Sequence, residues 1–454
     1  MSLTGACRFA AASFSVLVYA WAADCLTLKL TPEQRIAQVR DLDRAAQSAM
    51  AARQFPEAVK KMRAAACLAP DSSRVLYSLG MAEAASGDFT SARKSLQESD
   101  RLQPASPLPL AMQVRVNALL QAWETLKANL RDAAHRFPND ADLHAGLARF
   151  LAENKQFELA LAESLRAKRT SVAGASSLVE VAGLENTVGA YGEAVRNATR
   201  VENDVSQANT VRAAAAGISG LSYSGRRQQP EAVQHLQESI RLDPSRENSY
   251  LALADVFEKA EQYPSAVQVL DQGRRAIPNS KALLLPLGID LVRAERYKEG
   301  LAVLREVVRH SPDTDQAYLN IASACRNLAD PEGELAALRA LELHKPDYPQ
   351  IHLLTARALL NFNQIDYPQV LAELDKAAKS TPTDADLFYL RGKAFLATNR
   401  TDEAVKAFRQ AIELRPMEPG AYYQLGRLYQ KLGQSALASE QMERVKVLQL
   451  PPSR

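Results

Sequence analysis

Apolar residues recur along this chain at three- and four-residue spacing, the period of a helix with one buried face and one that strands cannot satisfy. Between residues 73 and 106, Leu76, Leu79 and Gly80 mark one such face, Phe89, Ala92 and Leu96 mark a second, and Pro104 closes the segment. The same frame returns in FPEAVKKMRAAACLAP, QPEAVQHLQESIRLDP and TDEAVKAFRQAIELRP. Each has a small residue, a larger apolar residue four positions later, and a proline twelve after the small one. Carried along the chain with a period of 34, the frame predicts twelve helix-turn-helix units over residues 39–452. They begin at Val39, Ser73, Pro107, Ala141, Ala175, Ala213, Glu247, Lys281, Asp315, Pro349, Ala385 and Pro419. A four-residue insert, Asn209–Arg212, and a two-residue insert in the tenth unit complete the count.

Three positions carry the register. The eighth is Ala or Gly in every unit but the third, which has Val114. The twentieth is Ala or Gly in nine units, and Glu334 stands there in the ninth. The thirty-second is Pro in nine units, where 22 prolines scattered over 454 residues would place fewer than one. Bulky residues at the fourth, seventh, eleventh, seventeenth and twenty-fourth positions complete a pattern that resembles the tetratricopeptide repeat, over about nine-tenths of the chain. That resemblance implies an all-α, right-handed α-solenoid. Units 107–140 and 175–208 are degenerate, with Ser206 where proline is expected.

The pattern has a physical basis of its own. Small residues let the two helices of a unit approach closely, and proline just past the second helix cannot continue it. A single pair cannot bury both its apolar faces, so stacking is required for a continuous core. Pro286 falls inside a first helix that the frame starts at Lys281, where it removes a backbone hydrogen bond and is expected to bend the helix or be tolerated near its start. The insert before Ala213, near Gly217 and Gly220, is the best candidate for an irregularity in what otherwise reads as one domain.

Charge and cysteine content narrow the class. With 55 basic and 52 acidic side chains the net charge is +3, which gives no reason to expect a nucleic-acid partner. The 47% hydrophobic content argues against disorder. Residues 1–23 place Arg8 before an uncharged run from Phe9 to Ala23, too short for a spanning helix and suited to a secretory signal cut after Ala22 or Ala23. An uncleaved membrane anchor is the alternative. Residues 24–38 then lead into the first helix, residues 453–454 form a tail, and the mature chain is expected to be soluble and periplasmic or extracellular. Removal of Cys7 leaves Cys25, Cys67 and Cys325; a Cys25–Cys67 bridge is one option, and Cys325 reads as a small buried apolar residue.

No phosphate-cradling glycine loop, nucleophile elbow or His-Glu-x-x-His pair occurs. His344 and His352, the closest useful pair, are separated by Pro346, so neither a metal nor another cofactor is expected. The sequence reads as non-catalytic. In the family it resembles, the second, fifth, ninth and twelfth positions of the first helices line a concave groove. Here the fifth position runs Leu251, Leu285, Leu319, Leu353, Tyr389 and Tyr423, and the ninth supplies Arg357, Lys393 and Arg427, with Arg326 at the twelfth. An apolar and aromatic strip edged by cations suits an extended protein segment with acidic groups or a terminal carboxylate. For Leu251 to Leu353 core packing is the favoured reading, whereas the tyrosines and cations read equally as groove residues or as ordinary packing and solvated charges. Arg115 and Arg149 form a smaller basic pair. The family's carboxylate clamp, Lys at the fifth and Asn at the ninth position of one unit, is not reproduced. With no extra solvating helix after the twelfth unit, Tyr422, Leu425 and Tyr429 are expected to have little cover, which suggests self-association or docking through that end. The functional readings are therefore a peptide-binding scaffold, a structural component of a cell-envelope or secretion assembly, and, least favoured, an enzyme whose site is built across repeats.

Overall fold

The computed structural model describes residues 30–170 and 174–449. The expected signal segment, Cys25 and the tail lie outside them. Among the described residues there are 24 α-helices and no strand, and no helix is long and apolar enough to cross a membrane. The chain forms two compact units divided at Arg226 and Arg227. In the first, α1 (Pro32–Ala51), α2 (Phe55–Leu68), α3 (Ser73–Ala85), α4 (Phe89–Leu102), α5 (Pro107–Leu119) and α6 (Trp123–Arg136) are followed by α7 (Ala141–Glu153), α8 (Phe157–Thr170), α9 (Ala175–Thr187), α10 (Tyr191–Glu202) and α11 (Asn209–Gly225). The second holds α12 (Gln229–Leu242), α13 (Glu247–Lys259), α14 (Tyr263–Ala276), α15 (Leu284–Arg293), α16 (Tyr297–His310), α17 (Asp315–Asn327) and α18 (Pro331–His344). It continues through α19 (Ile351–Leu359), α20 (Tyr367–Ser380), α21 (Ala385–Ala397), α22 (Thr401–Leu414), α23 (Pro419–Lys431) and α24 (Ser435–Gln449). Within each unit, most sequential helices pack on one another, and first helices of neighbouring repeats also touch, as α3 does α5 and α15 does α17.

Helix starts follow local chemistry. Thr31 closes a capping box with Gln34 at the start of α1, and Ser72, Asp88, Asp140, Asp330 and Asp366 each accept a backbone N–H at a helix N-terminus. Eight first helices begin at the residue where their repeat begins, Ser73 and Ala385 among them. The departures have causes. The insert Asn209–Arg212 extends α11 by one turn of helix and does not form a loop. α15 starts only at Leu284, so Pro286 sits in its first turn, where the missing N–H would have had no intrahelical partner.

The small residues of the eighth position are where the two helices of a repeat interlock. A Cβ at Gly80 would lie 2.6 Å from Leu96, one at Gly288 2.7 Å from Leu304, and one at Gly392 2.5 Å from Phe408. In each case the intruding side chain is that of the twenty-fourth position and is fully buried. The turns between paired helices share a device as well. Arg53, Gln121, Lys155, Arg227, Glu261, Glu295, Ala329 and Asn399 adopt positive φ, as do Gly87, Gly189 and Gly433. All eleven occupy the fifteenth position of their repeats.

The first unit departs from an apolar interior at the eleventh and twenty-third positions. There Ser95 donates to buried Glu83 at 2.7 Å, Asn117 to Asn129 at 2.8 Å, and Asn197 to Glu185 at 2.9 Å. At the same level His144 and Glu163, both fully buried, are hydrogen-bonded at 2.6 Å. In the second unit the eleventh position is apolar throughout: Phe257, Leu291, Cys325, Leu359, Phe395 and Tyr429. Cys325 is a buried free thiol, pushed up to about 11 chiefly by burial. Cys67 is disulfide-bonded, and Cys25, one option for its partner, falls outside the described residues.

One expectation fails at the last repeat. Tyr422, Leu425 and Tyr429 are buried, because α24 packs against α23. Their polar ends are satisfied too: Tyr422 donates to the Pro416 carbonyl at 3.2 Å, and the Tyr429 hydroxyl accepts from Arg409 at 2.7 Å. Exposure falls instead on Leu432, Leu437 and Val447.

Candidate functional site

All ten strip residues named from the sequence lie in the second unit, and the structure sorts them by what they already touch. Leu353 is buried at 3% exposure and Leu319 is half-buried, as are Leu251 and Leu285. Leu353 belongs to a packed cluster with Val370, Leu374 and Leu387. At the fifth position Leu353 is core, Tyr389 is half-buried like Leu251, Leu285 and Leu319, and Tyr423 on α23 is exposed.

The cations divide as sharply. Arg326 is taken up by Glu334, its Nη2 at 2.6 Å and Nε at 2.7 Å from the carboxylate. Glu334 is the acid that occupies a small-residue position. Its side chain is fully buried, and Asn361 donates to its other oxygen at 3.0 Å. Arg326 thus neutralises a buried charge. Arg357 donates to Asp386 at 2.7 Å, and Arg415 donates to the other oxygen of the same carboxylate at 2.8 Å. Lys393 and Arg427 differ, since among the described residues neither pairs with a carboxylate. Each lies over a ring one helical turn back on its own helix: Lys393 Nζ at 6.0 Å from the Tyr389 centroid, and Arg427 Cζ at 5.8 Å from that of Tyr423. Exposed contacts of this kind are worth roughly 0.5–1 kcal/mol, so they orient the side chains without withdrawing them from solution.

A cavity of about 220 Å³ opens beside Tyr389, lined by Asp386, Arg415, Glu418 and Gly420 together with alanines of α21, α22 and α23. The Tyr389 ring lies beside Gly420, where a Cβ would meet it at an ordinary 3.7 Å, and rests 6.1 Å from Phe408 at an interplanar angle of 59°. Tyr423, 43% exposed, repeats the position one unit on. The result is two ring-and-cation pairs spaced by one repeat, with a notch beside the first ring. Rings supply flat apolar contact, and the ammonium and guanidinium groups donate to carboxylates. Arg415 and Asp386 were not among the residues singled out from the sequence. Their bond joins the start of α21 to the end of α22, and Asp315 and Lys345 make the same connection at 2.5 Å between α17 and α18. In the first unit, Arg115 and Arg149 are exposed, with Arg115 over the Phe150 ring at 5.6 Å.

His344 stacks on Tyr318 with centroids 5.8 Å apart, and His352 is hydrogen-bonded to Glu373 at 2.8 Å, so the two histidines serve separate contacts. Among the described residues no group of three or more His, Cys, Asp and Glu is placed to hold a metal ion.

Family models agree with this architecture. A model described as tetratricopeptide repeat matches residues 44–107 and 285–349, and one described as TPR repeat matches residues 392–433. No curated protein matches the chain. Among solved structures, a MamA RS-1 ArsTM double mutant is 22% identical with a TM-score of 0.35, covering 37% of this chain and 94% of its own. The APC/C hetero-tetramer Cut9-Hcn1 is 13% identical over 92% of this chain and 88% of its own, with a TM-score of 0.38. Yeast Tom70 is 15% identical over 91% of this chain and 92% of its own, with a TM-score of 0.35. Likenesses of this size carry no inference about partner or role.

Proposed function

We propose that this chain, which carries tetratricopeptide repeats, is an exported, non-catalytic scaffold that binds an extended acidic protein segment along α21 and α23. The observation that carries the reading is the repetition, one unit apart, of a ring-bearing side chain with a cation that pairs with no carboxylate among the described residues: Tyr389 with Lys393, and Tyr423 with Arg427. Repeat arrays present such rows to a peptide laid along them, where main-chain groups and spaced side chains are read together. The notch itself is lined by Asp386, Glu418 and Arg415, so the positive character of this face rests on Lys393 and Arg427. Export is supported by the charge-then-apolar pattern of residues 1–23 and by the disulfide at Cys67, a bond that persists in oxidising compartments.

The test is binding of an arrayed library of acidic and neutral peptides to the full chain. Lys393→Glu with Arg427→Glu should weaken acidic-peptide binding by roughly tenfold or more, and parent binding should weaken steeply with salt. Unchanged peptide selection by the double variant would reject this face. A second reading, docking of the last repeat into a cell-envelope assembly or onto another copy, is favoured by exposed Leu432, Leu437 and Val447. Light scattering that shows a monomer at high concentration would count against the self-association form of it.

A further inference from the structure

Asp290 of α15 is fully buried, and among the described residues neither of its carboxylate oxygens meets a hydrogen-bond donor. Arg293, one turn along, stops at 3.8 Å from it. That guanidinium is engaged elsewhere: it donates to Glu258 of α13 at 3.0 Å and lies over the Tyr263 ring of α14 at 5.5 Å. The group within hydrogen-bonding reach of Asp290 is the Glu258 carboxyl, so an acceptor faces an acceptor. Two ionised carboxylates, one of them fully buried, against one half-exposed guanidinium are costly. A single proton resolves the conflict, because a protonated Asp290 can donate to Glu258 while Glu258 keeps its bond to Arg293.

The surroundings offer no other remedy. On α13, Asp255 is paired with Lys259; on α14, Asp271 with Arg274 and Arg275. Beside α16, Arg296 holds Glu299, and on α17, Arg326 holds Glu334 while Asp315 is bound by Lys345. The charges that act on Asp290 are those of Glu258 and Arg293. We propose that Asp290 and Glu258 form a proton-operated latch between consecutive helix pairs, closed while Asp290 carries a proton to donate and loosened when that proton is lost. Burial first, and the Glu258 charge second, lift the Asp290 carboxyl from 3.8 to about 7. The folded junction therefore holds a proton that the open one releases. Its contribution is complete below about pH 4, declines between about pH 4 and 7, and is absent above 7.

Hydrogen exchange of the full chain between pH 5 and 8.5, corrected for intrinsic rates, tests this. Opening of the amides of α13 to α16 should rise about tenfold per pH unit from 5 to 7 and level off above 7. Asp290→Asn, which keeps the shape and carries a permanent donor, should flatten that rise while α20 to α23 exchange as in the parent. Glu258→Gln supplies the missing donor from the other side and should also flatten it, which keeps the test decisive if the first variant does not fold. A parent without the rise, or a folded variant that retains it in full, overturns the latch.

Discussion

At the scale of single residues, the frame is legible where a side chain's size alone decides the geometry. Gly392 shows why: Phe408 occupies the space its Cβ would take, so Gly392→Val should destabilise the second unit by about 1–3 kcal/mol through overpacking. A thermal midpoint equal to that of the parent would refute the interlock. Buried polar groups were not legible, because what satisfies them comes from residues whose proximity only the fold creates. Glu334 breaks the small-residue pattern, and nothing in its local sequence reveals that Arg326, eight residues back, and Asn361, from the next repeat, will receive it. The same blindness made Arg326 look like an open groove cation. Arg326→Ala should cost about 1–3 kcal/mol by leaving a buried carboxylate short of donors. Adding Glu334→Ala should recover most of that loss, since alanine suits the position, and denaturant melts of the single and double variants measure the coupling.

Elements show a mixture of strong and weak signals. Each of the twelve second helices begins at the seventeenth position of its repeat, counting the insert in the tenth, and a bulky residue at that position announces most of them. The turn before it is announced poorly. Eleven repeats place the fifteenth residue in the left-handed region, yet only three use glycine there. Packing of the flanking helices imposes the conformation and overrides residue preference, at a cost of roughly 1–2 kcal/mol for a side chain with Cβ. Ala329→Gly should therefore stabilise the chain by up to about 1 kcal/mol, the gain being reduced by the greater freedom of glycine when unfolded. Calorimetry that shows a loss would mean that the alanine methyl makes a contact worth more than the strain it bears. Pro286 teaches the complementary lesson. Its position in the repeat suggests a kink, but the helix starts late enough to place it where no bond is forfeited.

At the scale of the whole molecule, the two units differ in what lies between their paired helices, and this difference has a pH signature. The polar row of the first unit includes Glu83 and Glu185, both raised above the ordinary carboxylate range, with burial the largest cause in each. Hydrogen bonds from Ser95 and Arg63 to Glu83, and from Asn197 to Glu185, oppose that rise without cancelling it. An acid raised in the folded state binds protons that the unfolded chain has already released. Its stabilising effect is present in full below the ordinary value of 4.5 and is lost as the pH climbs through the raised one. Glu185→Gln keeps an oxygen to accept from Asn197 and removes the titration. The variant should match the parent near pH 4 and surpass it at neutral pH, with the gain confined to α9, α10 and their neighbours. Repeat arrays open locally, so one melting temperature for the chain would blur the effect, and exchange resolved by helix is the appropriate reading. A parent and variant whose α9 and α10 protection runs parallel from pH 4 to 7 would show that Glu185 ionises freely, and the polar row would then act through hydrogen bonding alone.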